Sequence, residues 1–169
     1  MNLYFWGYEK MDGIYLLLGT NQGDKPANIK HCLMLIERYL GPITKKSSLY
    51  RTDAWGGITK DYFLNMVVCV NTEVTPHLIL DQIKKIEGDI GRVRFEKWGD
   101  RIIDVDLLYY YDEVIITEDL QVPHPEIQNR LFTLVPLVEI ASEQIHPLLQ
   151  KTNRMLLETC PDELQVELA

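Results

Sequence analysis

The order in which hydrophobic periodicities follow one another constrains this chain most. Ile14 to Leu18 (IYLLL) is a short, continuously apolar run, as expected of a central strand covered on both faces. A Gly19-Thr20-Asn21-Gln22-Gly23 turn follows, and Asp24 or Lys25 leads into Pro26 at a first helical position. Ile29, Leu33, Ile36 and Leu40 repeat at helical spacing until Gly41-Pro42 stops the helix. Ile43 to Thr52 reads as one strand, Asp53 to Gly57 as a glycine-rich loop, and Phe63 to Thr72 as a strong strand. Thr75 suits a helix cap with Pro76 next, and Leu78, Ile79, Ile83, Ile86 and Ile90 form the buried stripe of a second helix, closed by Gly91. Asp104 to Tyr111 is again a strand, with Asp112-Glu113 as a hairpin tip before a shorter strand, Val114 to Thr117. The order β-α-β-β-α-β predicts an α+β, ferredoxin-like domain with an antiparallel sheet and both helices on one face. Beyond it come the proline-rich turn Val122-Pro123-His124-Pro125, a helix over Glu126 to Ala141 interrupted near Pro136, and a final helix over about Thr152 to Thr159.

The chemistry concentrates at the last strand of that core. Asp104 and Asp106 stand two apart inside an apolar, aromatic run, so they share one face of a strand. Two carboxylates side by side and partly desolvated require a cation. A hard divalent ion fits, since Mg²⁺ commonly takes one or two carboxylates, some waters and substrate phosphates. Just upstream, Arg92, Arg94, Lys97 and Arg101 are the groups that hold polyphosphate oxygens. Acids for a metal beside bases for phosphates point to nucleotide-dependent phosphoryl transfer. The residues themselves leave a plainer alternative open, an acid pair salt-bridged to neighbouring arginines. Likewise Phe63 and Phe132 could be core aromatics, His124 could merely shape a turn, Arg130 could serve a helix end and Trp98 could anchor a loop.

Composition narrows the classes. The 169 residues suit one domain over 1–169, and 46% hydrophobic with 25% charged residues is ordinary for a globular protein. A formal net charge of −8 argues against a nucleic-acid partner, and the local basic cluster fits a small anionic ligand instead. Cys32, Cys69 and Cys160 are widely spaced and odd in number, which argues for a reducing compartment and against a disulfide framework or zinc site. No run approaches the roughly 18 apolar residues of a membrane span, and MNLYFWGYEKMDG lacks the features of a signal peptide, so a cytoplasmic protein without a membrane partner is expected.

Eight separated segments stand out: Leu18-Gly19-Thr20-Asn21, Tyr50-Arg51-Thr52, Phe63-Leu64-Asn65, Gly91-Arg92-Val93-Arg94, Lys97-Trp98-Gly99, Arg101-Ile102-Ile103-Asp104-Val105-Asp106, Val122-Pro123-His124-Pro125 and Asn129-Arg130-Leu131-Phe132. Together they resemble the 6-hydroxymethyl-7,8-dihydropterin pyrophosphokinases of folate biosynthesis. The resemblance runs from about residue 14 to 141; the first dozen residues match nothing in it. It implies ATP-dependent transfer of a pyrophosphoryl group to the pterin hydroxymethyl with release of AMP, and two Mg²⁺ ions held by Asp104 and Asp106. It also implies that Arg92 and Arg101 meet the triphosphate, and that Arg94 and Trp98 lie in a catalytic loop that closes over the substrates. His124 and Arg130 would contact the nucleotide, with Glu87 near the adenosine. Phe63 and Phe132 would sandwich the pterin, Asn65 would bond its edge, and the Thr52-Asp53-Ala54-Trp55 loop would help. Thr20 stands where the family usually has serine, Asp100 where proline is frequent, and Phe63 where some members carry tyrosine. Small-molecule substrates and a monomeric protein are expected. The rival readings are a nucleotidyltransferase or nuclease using the same acid pair, and a non-catalytic binding module on the same fold.

Overall fold

A computed structural model describes residues 11–53, 61–91 and 102–169. Strand β1 (Ile14–Thr20) leads through helix α1 (Lys25–Tyr39) to β2 (Ile43–Lys46) and β3 (Tyr50–Thr52), then β4 (Phe63–Val70), helix α2 (Pro76–Ile90) and β5 (Asp104–Tyr110). After β5 come β6 (Ile115–Ile116), β7 (Gln121–Val122), helices α3 (Leu131–Ala141) and α4 (Asn153–Glu158), and a terminal strand β8 (Val166–Leu168). The main sheet runs β5-β1-β4-β3-β8, with β2 also beside β4, and all its pairings are antiparallel. This is the split βαβ, ferredoxin-like order expected from the periodicities.

The continuously apolar β1 is explained by its position. It is buried along its whole length at the middle of the sheet, between β4 and β5. One sheet face receives α1 and α2, where Leu16, Leu18, Val68 and Val105 meet Ile36, Ile83 and Ile86. The other face receives α3 and α4, where Tyr15, Leu17, Val67 and Tyr109 meet Leu134, Leu137 and Leu156. Helices on both faces leave the central strands no polar side, so their sequences lose the in–out alternation. Asp24 caps α1 by accepting the Ala27 N–H at 3.0 Å, and Gly91 ends α2 at φ +99°, a left-handed conformation that suits glycine.

The structure departs from the sequence reading at five places. The strand expected over Ile43 to Thr52 is two strands, because Ser47 turns inward. Its Oγ accepts the Val67 N–H at 3.0 Å, a side chain standing where a backbone carbonyl would continue the ladder. Leu78, expected in the buried stripe of α2, is 47% exposed; Ile79, Ile83 and Ile86 carry the burial. The short strand after Asp112-Glu113 does not fold back on β5. Tyr111 takes φ +48°, turning the chain aside, and β6 pairs with β7 in a separate small sheet. The long helix expected from Glu126 is a 3-10 turn (Ile127–Asn129) followed by α3, and Pro136 lies within α3. Strand β8 was not foreseen. The three cysteines are free, as expected, with Cys32 and Cys69 buried.

Candidate functional site

The site forms on the α3 side of the sheet, at the end where β1 and β4 meet the head of β5. Ile103, just before β5, and Val105 and Leu107 within it enter the core under α1 and α2. The period of two along a strand therefore sends Asp104 and Asp106 to the opposite face, where both are half-buried. Two residues along a strand separate their Cα atoms by about 6.8 Å, close enough for one ion cluster. Asp104 lies opposite Gly19 of β1, and Gly19 lies opposite Asn65 of β4. Asn65 lies in turn opposite Tyr50 of β3.

This row has a purposeful gap at Gly19. A Cβ there would stand 3.2 Å from Asn65 Oδ1, tighter than ordinary van der Waals contact. With no side chain at that position, the Asn65 amide oxygen lies against the β1 backbone, in the row next to the acid strand β5. Asn65 is 4% exposed, and its Nδ2 donates to Thr52 Oγ1 at 2.8 Å. Thr52 is itself buried, so the amide is held in one orientation with its carbonyl oxygen toward Gly19. Phe63, two residues before Asn65, shares its face and is half-buried. From above the sheet, Phe132 at the start of α3 packs on the α3-side core, and the Arg130 guanidinium lies 5.7 Å from its ring centre.

His124 borders the acid strand. Its backbone N–H donates to the carbonyl of Leu108, the residue at which the β1–β5 register shifts, at 2.9 Å. Its ring Nδ1 accepts the Glu126 N–H at 3.1 Å. Burial pushes the imidazole down to about 4, the nearby Arg130 cation adds to this, and the Glu126 and Asp104 carboxylates oppose it. At neutral pH the ring is uncharged, and because Nδ1 is an acceptor the proton resides on Nε2. His124 is thus a neutral N–H donor within the electrostatic reach of Asp104 and Arg130.

Glu87 lies elsewhere. It is 3% exposed on α2, on the opposite side of the sheet, and its Oε1 accepts the Val105 N–H at 3.1 Å. Among the described residues β5 is an edge strand, and Glu87 supplies the partner that the Val105 N–H needs there. Asp53 follows β3 and is exposed. Ala54, Trp55, Arg92, Arg94, Trp98 and Arg101 lie outside the described residues.

Two supports escaped the sequence reading. Glu139 of α3 accepts from the Ser48 N–H at 3.0 Å, the Ser48 hydroxyl at 2.9 Å and the Tyr50 hydroxyl at 2.8 Å, tying α3 to the β2–β3 junction. Partial burial would raise its carboxyl, but the bonds from Tyr50 and Ser48 outweigh this and hold it below the usual range. Asp162, in the segment after α4, accepts the Leu131 N–H at 2.9 Å. Neither bond has a sequence signal, since the partners stand 31 to 91 residues apart.

A sheet that gathers two carboxylates, a fixed amide and a neutral imidazole on one side defines an α+β domain of the ferredoxin-like class. The comparisons specify which. The model of the 7,8-dihydro-6-hydroxymethylpterin-pyrophosphokinase family matches residues 15–142, and the chain belongs to that family. It is 43% identical over 141 residues to the 2-amino-4-hydroxy-6-hydroxymethyldihydropteridine pyrophosphokinase of Aquifex aeolicus, covering 83% of this chain and 88% of that protein. The enzyme of the same name from Bacillus subtilis is 39% identical over 130 residues, covering 76% of this chain and 78% of that one. Among solved structures, Plasmodium falciparum HPPK-DHPS with pteroate superposes with a TM-score of 0.72 at 21% identity, which bears on the fold alone. That match covers 86% of this chain and 41% of the Plasmodium chain.

Proposed function

We propose that this chain transfers the pyrophosphoryl group of ATP to 6-hydroxymethyl-7,8-dihydropterin, giving the pterin diphosphate and AMP in folate biosynthesis. The pterin hydroxyl oxygen bonds to the β-phosphorus, the bond from that phosphorus to the oxygen bridging it to the α-phosphate breaks, and the hydroxyl proton is lost. The observation that carries this reading is the Asp104–Gly19–Asn65 row. It brings one acid of the candidate metal pair and a fixed amide onto one face of three adjacent strands, which supports phosphate chemistry beside heterocycle recognition.

The donor set fits Mg²⁺. Asp104 and Asp106 offer hard oxygens on one face, and among the described residues no group of three or more His, Cys, Asp or Glu forms a complete protein cage. A carboxylate pair completed by water and substrate phosphates is the habit of Mg²⁺, and Asp104 and Asp106 would hold two such ions. When bound, the metal neutralises charge on the attacking and leaving oxygens.

The protein's own groups then have distinct tasks. Arg92 and Arg101 bind the triphosphate, and Arg94 and Trp98 serve catalysis beside it. His124, through its Nε2–H, and Arg130 contact the nucleotide. Glu87, expected near the adenosine, supports the β5 backbone from the opposite side of the sheet. Phe63 and Phe132 stack on the pterin faces, each aromatic pair contributing roughly 0.5–1.5 kcal/mol beyond burial. Asn65, oriented by Thr52, bonds the heterocycle edge with help from Asp53, Ala54 and Trp55. Catalysis is then chiefly positioning and electrostatics. We place the protein in the cytoplasm as a monomer acting on small molecules; among the described residues no helix is long and apolar enough to cross a membrane.

The deciding experiment is AMP formation from ATP and Mg²⁺ with and without the reduced pterin. Pterin-dependent AMP with a pterin diphosphate product is expected. ADP in its place would refute attack at the β-phosphorus, and no pterin-dependent turnover would refute the substrate.

A further inference from the structure

The segment 159–169, beyond the stretch 15–142 that matches the family, holds two walls of the proposed pterin pocket from behind. The first hold is on α3. Arg130 precedes this helix and offers no side-chain cap, although α3 carries Phe132 in its first turn. The cap comes from the chain's end: Asp162 Oδ2 accepts the Leu131 N–H at 2.9 Å, while Oδ1 accepts the Leu164 N–H at 3.0 Å. One carboxylate therefore ties the aromatic wall to the terminal segment. The second hold is on β3. β8 pairs along it with Val166 opposite Thr52 and Leu168 opposite Tyr50, and the Ala169 N–H donates to the Leu49 carbonyl at 3.0 Å. Thr52 is the residue that orients Asn65.

We propose that Asp162 and β8 form a strap that sets the separation of Phe132 from Asn65, with Asp162 a positioning residue for the pterin. The acid strand β5 lies at the opposite edge of the sheet, beyond β4 and β1. β8 therefore acts on the pterin half of the site and leaves the nucleotide half alone. An extra strand also covers the β3 edge, whose backbone groups would otherwise lack partners.

This inference rests on the proposed function, and one set of titrations separates the two. Dissociation constants for 6-hydroxymethyl-7,8-dihydropterin, with Mg²⁺ and a non-hydrolysable ATP analogue present, and for ATP with Mg²⁺ are measured on the full chain, on Asp162→Ala, on Asp162→Asn and on a chain ended after Gln165, with a thermal melt of each. The Asp162→Ala variant should weaken pterin binding about tenfold, the scale of losing a helix cap, and the shortened chain, which keeps Asp162 but loses β8, should weaken it by a comparable factor. ATP binding by the shortened chain should stay within about twofold, and Asp162→Asn, which keeps a capping acceptor, should recover most of the pterin affinity. Unchanged pterin binding in both Asp162→Ala and the shortened chain overturns the strap, as does equal weakening of pterin and ATP accompanied by a lowered melting temperature. A full chain that binds ATP but no pterin overturns the proposed function and the strap with it.

Discussion

Asn65 is a small side chain whose usefulness depends on a single bond. Its amide is buried, and the 2.8 Å bond to Thr52 decides which way the carbonyl oxygen faces. Replacing Thr52 by Val removes that acceptor and leaves a buried amide N–H unsatisfied, a penalty of about 1–3 kcal/mol that falls partly on folding and partly on binding. Steady-state kinetics on Thr52→Val should show KM for the pterin raised roughly tenfold with KM for ATP little changed. If both constants move together, Thr52 serves the fold and not the pocket. The acid pair behaves differently, because it acts on the transferring group. Asp106→Ala should lower kcat by roughly a thousandfold, the scale of losing a strong electrostatic stabiliser of the transition state. A folded variant with near-normal turnover would remove Asp106 from the mechanism.

Elements come next, and here α3 is the piece that matters. It is the lid of the α3-side core and brings Phe132 over the sheet, yet the sheet residues it must face come from β3 and β4. Glu139 joins α3 to β3 through Ser48 and Tyr50, whose phenol is pushed up to about 12 by burial and by this carboxylate. The cluster is solvent-exposed, so its bonds are worth less than buried ones. Glu139→Ala should cost about 1 kcal/mol, a fall of about 2–4 °C in Tm for a domain of this size. The double variant with Tyr50→Phe should lose less than the sum of the two, because both remove the same bond. Additive losses in calorimetry would show that Tyr50 and Glu139 do not act as a pair.

At the scale of the whole molecule, two neutral histidines make stability depend on acid. His146 is 3% exposed, packs edge-on against Tyr109 with ring centres 5.6 Å apart, and accepts the Leu148 and Leu149 N–H groups through Nδ1 at 3.3 and 3.2 Å. Burial pushes its imidazole down to about 4, against a smaller opposing hydrogen-bond effect, and His124 is also near 4. In the unfolded chain both titrate near 6.5, so between about 6.5 and 4 the unfolded state binds more protons and stability falls as pH falls. Each histidine can contribute up to about 3 kcal/mol of that loss, His124 less because it is partly exposed. Asp12 and Glu139, both held below their usual range, add a further loss only at lower pH. Urea midpoints should therefore be level near pH 7.5 and drop by pH 5, and His146→Gln should flatten the profile. A midpoint unchanged across that interval would contradict the burial argument for both rings.

The periodicities of the sequence determined the βαββαβ order, because strand and helix patterns are local and each alternation restricts its neighbours. They also put Asp104 and Asp106 on one face, since a strand leaves residues two apart no other choice. Tertiary structure alone decided the rest. Whether Ile43 to Thr52 ran as one strand depended on where the Ser47 hydroxyl found the Val67 N–H, twenty residues away. That Gly19 lies between Asp104 and Asn65 follows from the register of three strands, which no single segment encodes. Glu87 reads as a polar residue on a helix, yet its carboxylate completes the β5 edge from the far side of the sheet. Asp162 and β8 lie in an unremarkable polar tail until β3 and α3 are in place to receive them. Local preference is written residue by residue, whereas a hydrogen-bond partner distant in sequence exists only after packing has chosen which backbone groups would otherwise be left bare.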